Sequence, residues 1–164
     1  MVRLIEVRQP QEHDVIGRRF TLAGFGTGFE ATVLWRVLGE DGTPLAEGLV
    51  QGAGSMGVLQ DFGHDVQLPS SVSARGAHVV LQVFGEDASG ENPPGTDLNE
   101  VRVTLFTGLQ GFRLHEVIRG DTLSEIARDV GQNTRFQDIF EANRDILTDP
   151  DEIVPGQVLR VPLL

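Results

Sequence analysis

The chain has 164 residues, 40% apolar and 23% charged, a globular composition with room for one ordinary domain or two small ones. Its formal net charge is −11 and all 13 basic residues are arginine, so chemistry that needs a lysine, such as a P-loop or a Schiff base, is excluded. The acidic balance repels phosphate backbones and anionic lipid surfaces, so no nucleic-acid partner is expected. With no cysteine, disulfide frameworks, thiolate metal sites and thiol nucleophiles are also excluded. No stretch approaches the roughly 20 apolar residues of a membrane-spanning helix, so no membrane insertion is expected. The opening Met1-Val2-Arg3-Leu4-Ile5-Glu6 leads into no apolar signal core. As the sequence stands, the expected location is the cytoplasm. It becomes the cell wall if a signal was removed or export follows another route.

Short strands divided by turns fill the first part of the chain. Candidates are Leu4 to Val7, Arg19 to Ala23, and Ala31 to Leu38, where Ala31, Val33, Trp35 and Val37 share one face. Asp41-Gly42 signals a hairpin, and Leu45 to Val50 returns. His64 to Leu68, His78 to Phe84 and Glu100 to Phe106 complete the set. Strands at this spacing predict a β-sandwich over 1–110. Gly108 and Gly111 flank a short linker near Thr107 to Phe112, and the periodicity then changes.

The remaining residues, 111–164, predict a strand at Leu114 to Ile118, two helices and a closing strand at Val158 to Val161. Leu123, Ile126, Ala127 and Val130 form a helical stripe, opened by Thr122 and Glu125 at capping-box spacing and stopped by Gly131. Thr134 and Gln137 repeat that spacing, and Phe136, Ile139, Phe140 and Asn143 form the second stripe. Pro155-Gly156 marks a tight turn. The fold class is therefore two domains, an all-β sandwich followed by a small α+β module of βααβ order.

Several motifs fall short of chemistry. Gly52-Ala53-Gly54-Ser55-Met56-Gly57 spells GxGxxG, but a dinucleotide fingerprint needs a helix after it, and Val58 to Leu68 has no helical stripe. Phe25-Gly26-Thr27-Gly28-Phe29 reads as a loop. Asp61, His64 and Asp65 match no standard metal spacing and read as a solvated strand edge. Glu86, Asp87, Glu91 and Asp97 form an acidic loop without the EF-hand pattern. His13, His78 and His115 are isolated in sequence. Asp149 and Asp151 flank Pro150 in a turn rather than facing each other across a cleft. Trp35, on an apolar strand face, reads as a core residue. No enzyme, no metal and no cofactor is expected.

Two resemblances sharpen this reading. HEVIRGDTLSEIA at 115–127 and FEANRDILTDPDEIVPGQVLRVP at 140–162 resemble the LysM family. Gly120, Asp121, Thr122, Leu123, Asn143, Pro155, Gly156 and Gln157 match its pattern in order and spacing. The resemblance implies the βααβ fold and binding of N-acetylglucosamine-containing glycan, such as peptidoglycan or chitin. It implies a shallow groove between Gly120–Leu123 and Ile146–Pro155. The candidate glycan-binding residues are Gly120, Asp121, Thr122, Leu123, Ile146, Leu147, Ile153, Val154 and Pro155. An N-acetyl sugar needs backbone donors and acceptors plus a small apolar floor. Gly120 allows close backbone approach, and Leu123, Ile146 and Ile153 are candidates for the floor, although they are equally candidates for a small core. No Tyr or Trp occurs in this half to stack on a sugar.

The same segment is similar to the LysM half of small cytosolic bacterial proteins, one group of which senses potassium, and to modules in phage tails and contractile injection machines. The resemblance thus also implies an alternative, a cytosolic interaction or assembly scaffold, ion-responsive or tail-like, in which LysM contacts protein. FEATVLWRVLGEDGTPLAEGLVQGAG at 29–54 and VFGEDASGENPPGTDLNEVRVTL at 83–105 resemble the immunoglobulin-like domain of bacterial spore-germination proteins (Gmad2-like). That family implies a spacer or docking module with a possible protein partner, and Asn92-Pro93-Pro94-Gly95 departs from its shorter loop. The expected function is non-catalytic binding of peptidoglycan or another N-acetylglucosamine glycan.

Overall fold

The structure is a computed structural model that describes residues 4–85, 96–131 and 133–164. In chain order its strands are β1 (Ile5–Gln9), β2 (Val15–Ile16), β3 (Arg19–Gly28), β4 (Thr32–Leu38), β5 (Pro44–Gln51), β6 (Gly54–Ser55), β7 (Gln60–Gln67), β8 (Arg75–Gly85), β9 (Thr96–Phe106), β10 (Gly111–Glu116) and β11 (Val158–Leu163). Two helices, α1 (Leu123–Val130) and α2 (Phe136–Glu141), lie between the last two strands. The chain forms two compact units. The first is Met1–Glu12, Arg19–Val72 and His78–Val103; the second is His13–Arg18, Ser73–Ala77 and Thr104–Leu164.

In the first unit β3 is the centre of one sheet. It pairs antiparallel with β1 and with β7, and its last two residues pair in parallel with β6. The second sheet runs β9, β8, β4, β5. Alternation works as the sequence predicts in β4, where Val33, Trp35 and Val37 are buried between less buried neighbours. Val50, Val79, Leu81 and Val83 add to this buried face, and Ile5, Leu22, Phe62 and Val66 supply that of the β3 sheet. Gly48, opposite Trp35 on β5, leaves space for the indole; a Cβ there would stand 2.6 Å from the ring.

Two glycine-rich stretches behave differently from each other. The segment 25–29, expected as a loop, continues β3 through Gly28. Its glycines admit close neighbours: a Cβ at Gly24 would meet the Glu6 carbonyl at 2.2 Å, and one at Gly26 the Leu4 carbonyl at 2.8 Å. Glycine in a strand marks such an approach as readily as a turn. The GxGxxG segment contains β6 and a turn, with Gly52 and Gly57 at φ 95° and 81°, and leads into β7 rather than a helix. The acidic loop residues Glu86, Asp87 and Glu91, and Asn92 to Gly95, lie outside the described residues.

In the second unit β10 and β11 pair antiparallel from Gly111↔Leu163 to Glu116↔Val158. Leu123, Ile126 and Ala127 of α1 and Ile139 of α2 join Val117, Leu147, Leu159 and Val161 in one core, with Val130, Phe140 and Ile153 packed against it. A smaller cluster joins Val15, Phe106 and Ala142, while β2 pairs in parallel with the end of β9 at Val15↔Thr104 and Ile16↔Leu105. The α1 cap is as expected: Thr122 Oγ1 accepts from the Glu125 N–H at 3.2 Å, and Gly131 ends the helix at φ 67°. The α2 cap shifts by one residue. Asp138 accepts the Arg135 N–H at 2.7 Å, while Thr134 instead donates its hydroxyl to the Pro162 carbonyl at 2.7 Å. Asp138 also takes two hydrogen bonds from the Arg75 guanidinium, at 2.9 and 2.7 Å.

Candidate functional site

The candidate site begins where the β10–β11 ladder runs out. Val117 continues the register, donating to the Gln157 carbonyl and accepting from the Gly156 N–H, both at 2.8 Å. These bonds bring the 118–122 loop beside the 153–157 loop. Asp121 then closes the first loop. One carboxylate oxygen lies 2.7 Å from His115 Nε2 and accepts the Ile118 N–H at 3.0 Å. The His115 hydrogen bond, then the Ile118 N–H, hold the Asp121 carboxyl below its ordinary range. Asp121 is thus a clamp on the loop. In the second loop, the Gln157 side-chain carbonyl accepts the Val154 N–H at 2.8 Å. Asp149 accepts from the Asp151 N–H at 2.8 Å, which makes that carboxylate part of a turn.

Asn143 ties α2 to β11 and to the start of the 146–155 loop. Its amide donates to the Ile139 and Arg160 carbonyls at 2.7 and 2.8 Å, and its oxygen accepts the Arg160 N–H at 2.8 Å. The side chain is fully buried. Its backbone carbonyl accepts from the Ile146 and Leu147 N–H groups, which starts the 146–155 loop. The sequence places Asn143 on the helical stripe; its spacing gives no sign of the three side-chain bonds, two of which depend on β11.

The nine candidate residues divide by accessibility. Leu123 and Leu147 are each 2% exposed and belong to the core, and Ile153 packs against it. Gly120, Thr122, Ile146, Val154 and Pro155 are exposed, and Asp121 is half-buried. Ile118, which the sequence assigns to the preceding strand, is exposed beyond the end of β10 and adds to the apolar surface. Gly120 and Gly156, at φ 98° and 92°, have no atom within 4 Å of where a Cβ would stand. Backbone is therefore open on both loops. Among the described residues no three His, Asp or Glu side chains gather as for a metal ion. Thr122→Ala is expected to cost about 1 kcal/mol by loss of the helix cap, read as a lower midpoint in urea unfolding. An unchanged midpoint would contradict that role.

Comparison with known proteins agrees with these elements. Residues 115–162 match the LysM domain. Potassium binding protein Kbp of Escherichia coli O6:H1 (strain CFT073) is 49% identical over 62 residues, which is 37% of this chain and 42% of that protein. No solved structure matches the chain. Residues 4–91 match the immunoglobulin-like domain of bacterial spore germination, Gmad2. With more than half its length in that match and a LysM domain behind it, the chain belongs to the Gmad2 immunoglobulin-like family.

Proposed function

We propose that this is a non-catalytic binding protein whose LysM module, at 111–164, recognises N-acetylglucosamine-containing glycan such as peptidoglycan. The domain at 1–110 acts as its spacer or docking partner. One observation carries the reading: two neighbouring loops carry open glycines, Gly120 and Gly156, and exposed Ile118 and Val154, and exposed Ile146 begins the segment that leads into the second loop. Open backbone suits the acetamido group, and the aliphatic side chains suit its methyl and the sugar-ring face. Leu123 and Leu147 act from below by fixing the loops. Asp121 holds the 118–121 turn in place. The work of the module at the bacterial wall, and hence its residence there, rests on this same reading.

The test is an amide NMR titration of the full chain with N-acetylglucosamine oligomers and soluble peptidoglycan fragments. Saturable shifts are expected at Gly120, Thr122, Ile146 and Val154. Ile146→Ser, at an exposed site, is expected to weaken binding about tenfold with little change in stability. Absence of shifts at these four residues would overturn the reading. A second reading has its own support, the likeness to a potassium binding protein over 62 residues. On that reading, exchanging sodium for potassium alone shifts the amides of the module, and sugar does not.

A further inference from the structure

We propose that the first unit carries a separate binding site for a small amphiphilic cation, an alkyl chain ending in a protonated amine. The site is a cleft of about 540 Å³ at the end of β3. That volume lies within the range of about 300–1,000 Å³ typical of small-molecule sites. Leu4, Ile5, Phe29 and Met56 give it an apolar lining. Met56 is 99% exposed, so its flexible thioether chain is free to fold over a ligand in the cleft.

Thr27 marks where the polar end belongs. It lines the cleft and is 8% exposed, yet its hydroxyl oxygen has no hydrogen-bond partner among the described residues. A buried hydroxyl without a partner costs about 1–3 kcal/mol, and a ligand that supplies a donor removes that cost. The charged lining residues are both acidic, Glu30 and Asp97. Neither carboxylate has an ion-pair partner among the described salt bridges. An ammonium has three donors to share between the threonine oxygen and these carboxylates. A carboxylate or phosphate would meet repulsion. An uncharged alcohol would satisfy Thr27 alone.

The backbone around the cleft is held in uncommon conformations. Glu30, Met56 and Asp97 have φ of 49°, 53° and 55°, and Ala31, beside Glu30, has 60°. Each such residue costs of order 1–3 kcal/mol and persists where the surroundings enforce it, as at ligand clamps. Here the strained positions are those that carry both carboxylates and the exposed methionine to one cleft.

The probe is n-octylammonium chloride below its micelle-forming concentration, titrated into the full chain and followed by methyl NMR and calorimetry. Octanol and octanoate serve as uncharged and anionic matches. Saturable shifts are expected at Leu4, Ile5 and Met56, with octanol about tenfold weaker and octanoate without effect. Thr27→Val is expected to lower octylammonium affinity about tenfold while leaving the thermal midpoint equal or higher, since the hydroxyl has no partner to lose. Glu30→Gln, at an exposed residue, is expected to lower affinity severalfold and to flatten its salt dependence. Equal affinity for octanoate, or parent affinity in both variants, would overturn the proposal.

Discussion

Replacing Asn143 with leucine is expected to unfold much of the LysM module. The substitution keeps the volume but removes both amide donors and the amide oxygen. The Arg160 N–H and the Arg160 and Ile139 carbonyls then lose their bonds to the side chain. Buried groups left in that state cost about 1–3 kcal/mol each, so a total of about 3 kcal/mol is expected. A module of this length has only a few kcal/mol in hand. Hydrogen exchange reads the effect residue by residue: the core amides of Leu159 and Val161 are expected to exchange about a hundredfold faster. Those of Val33 and Val37 serve as internal reference. Unchanged protection at Leu159 and Val161 would show that Asn143 is not what joins α2 to β11.

The second large effect is expected at Asp138. This carboxylate is 2% exposed and answers three sets of donors: the Arg75 guanidinium, the Arg135 N–H and the Arg135 side chain. Burial pushes its carboxyl up. The hydrogen bonds from Arg75 and then Arg135 pull it down further, and the net position is below the ordinary range. Asp138→Ala removes the α2 cap and the ion pair together. The expected loss is about 2 kcal/mol, less than for a fully buried pair, because the Arg75 side chain remains 39% exposed and stays solvated. A depressed folded pKa sets the sign with pH. The contribution is complete above the unfolded carboxylate value of about 3.9 and is lost as pH falls through the lower folded value. The stability gap between parent and Asp138→Ala, followed by urea unfolding from neutral pH downward, is therefore expected to close only under acid conditions. A gap that stays constant through acid would contradict the ionised pair.

Local patterns carried much of the architecture. The two-residue alternation of Val33, Trp35 and Val37 and the helical stripe of Leu123, Ile126 and Ala127 are visible without the fold because each burial decision depends on near neighbours. Strand β3 past Ala23 was less legible. Its glycines are selected by the Glu6 carbonyl of β1 and the Leu4 carbonyl just before it, and no local spacing records that. The two-residue strands β2 and β6 are likewise formed by distant parallel partners. The candidate site reads in sequence as a pair of loops but not as a surface. Leu123 and Ile146 look alike in sequence, yet one fills the core and the other meets solvent. Ile118 reads as a strand end until the ladder is seen to stop at Glu116. The Arg75–Asp138 pair, 63 positions apart, leaves no trace in either neighbourhood.

The discontinuous make-up of the second unit bears on how the protein is made. Its segments 13–18 and 73–77 leave the ribosome long before the 104–164 segment that completes it. Val15 waits for Phe106 and Ala142, and Arg75 waits for Asp138. A polypeptide growing from its N-terminus therefore cannot finish this unit until β11 has been made, and its early pieces wait for their partners in the meantime. A gene fragment cut at residue 110 would deliver β10, both helices and β11, but without Val15 or Arg75.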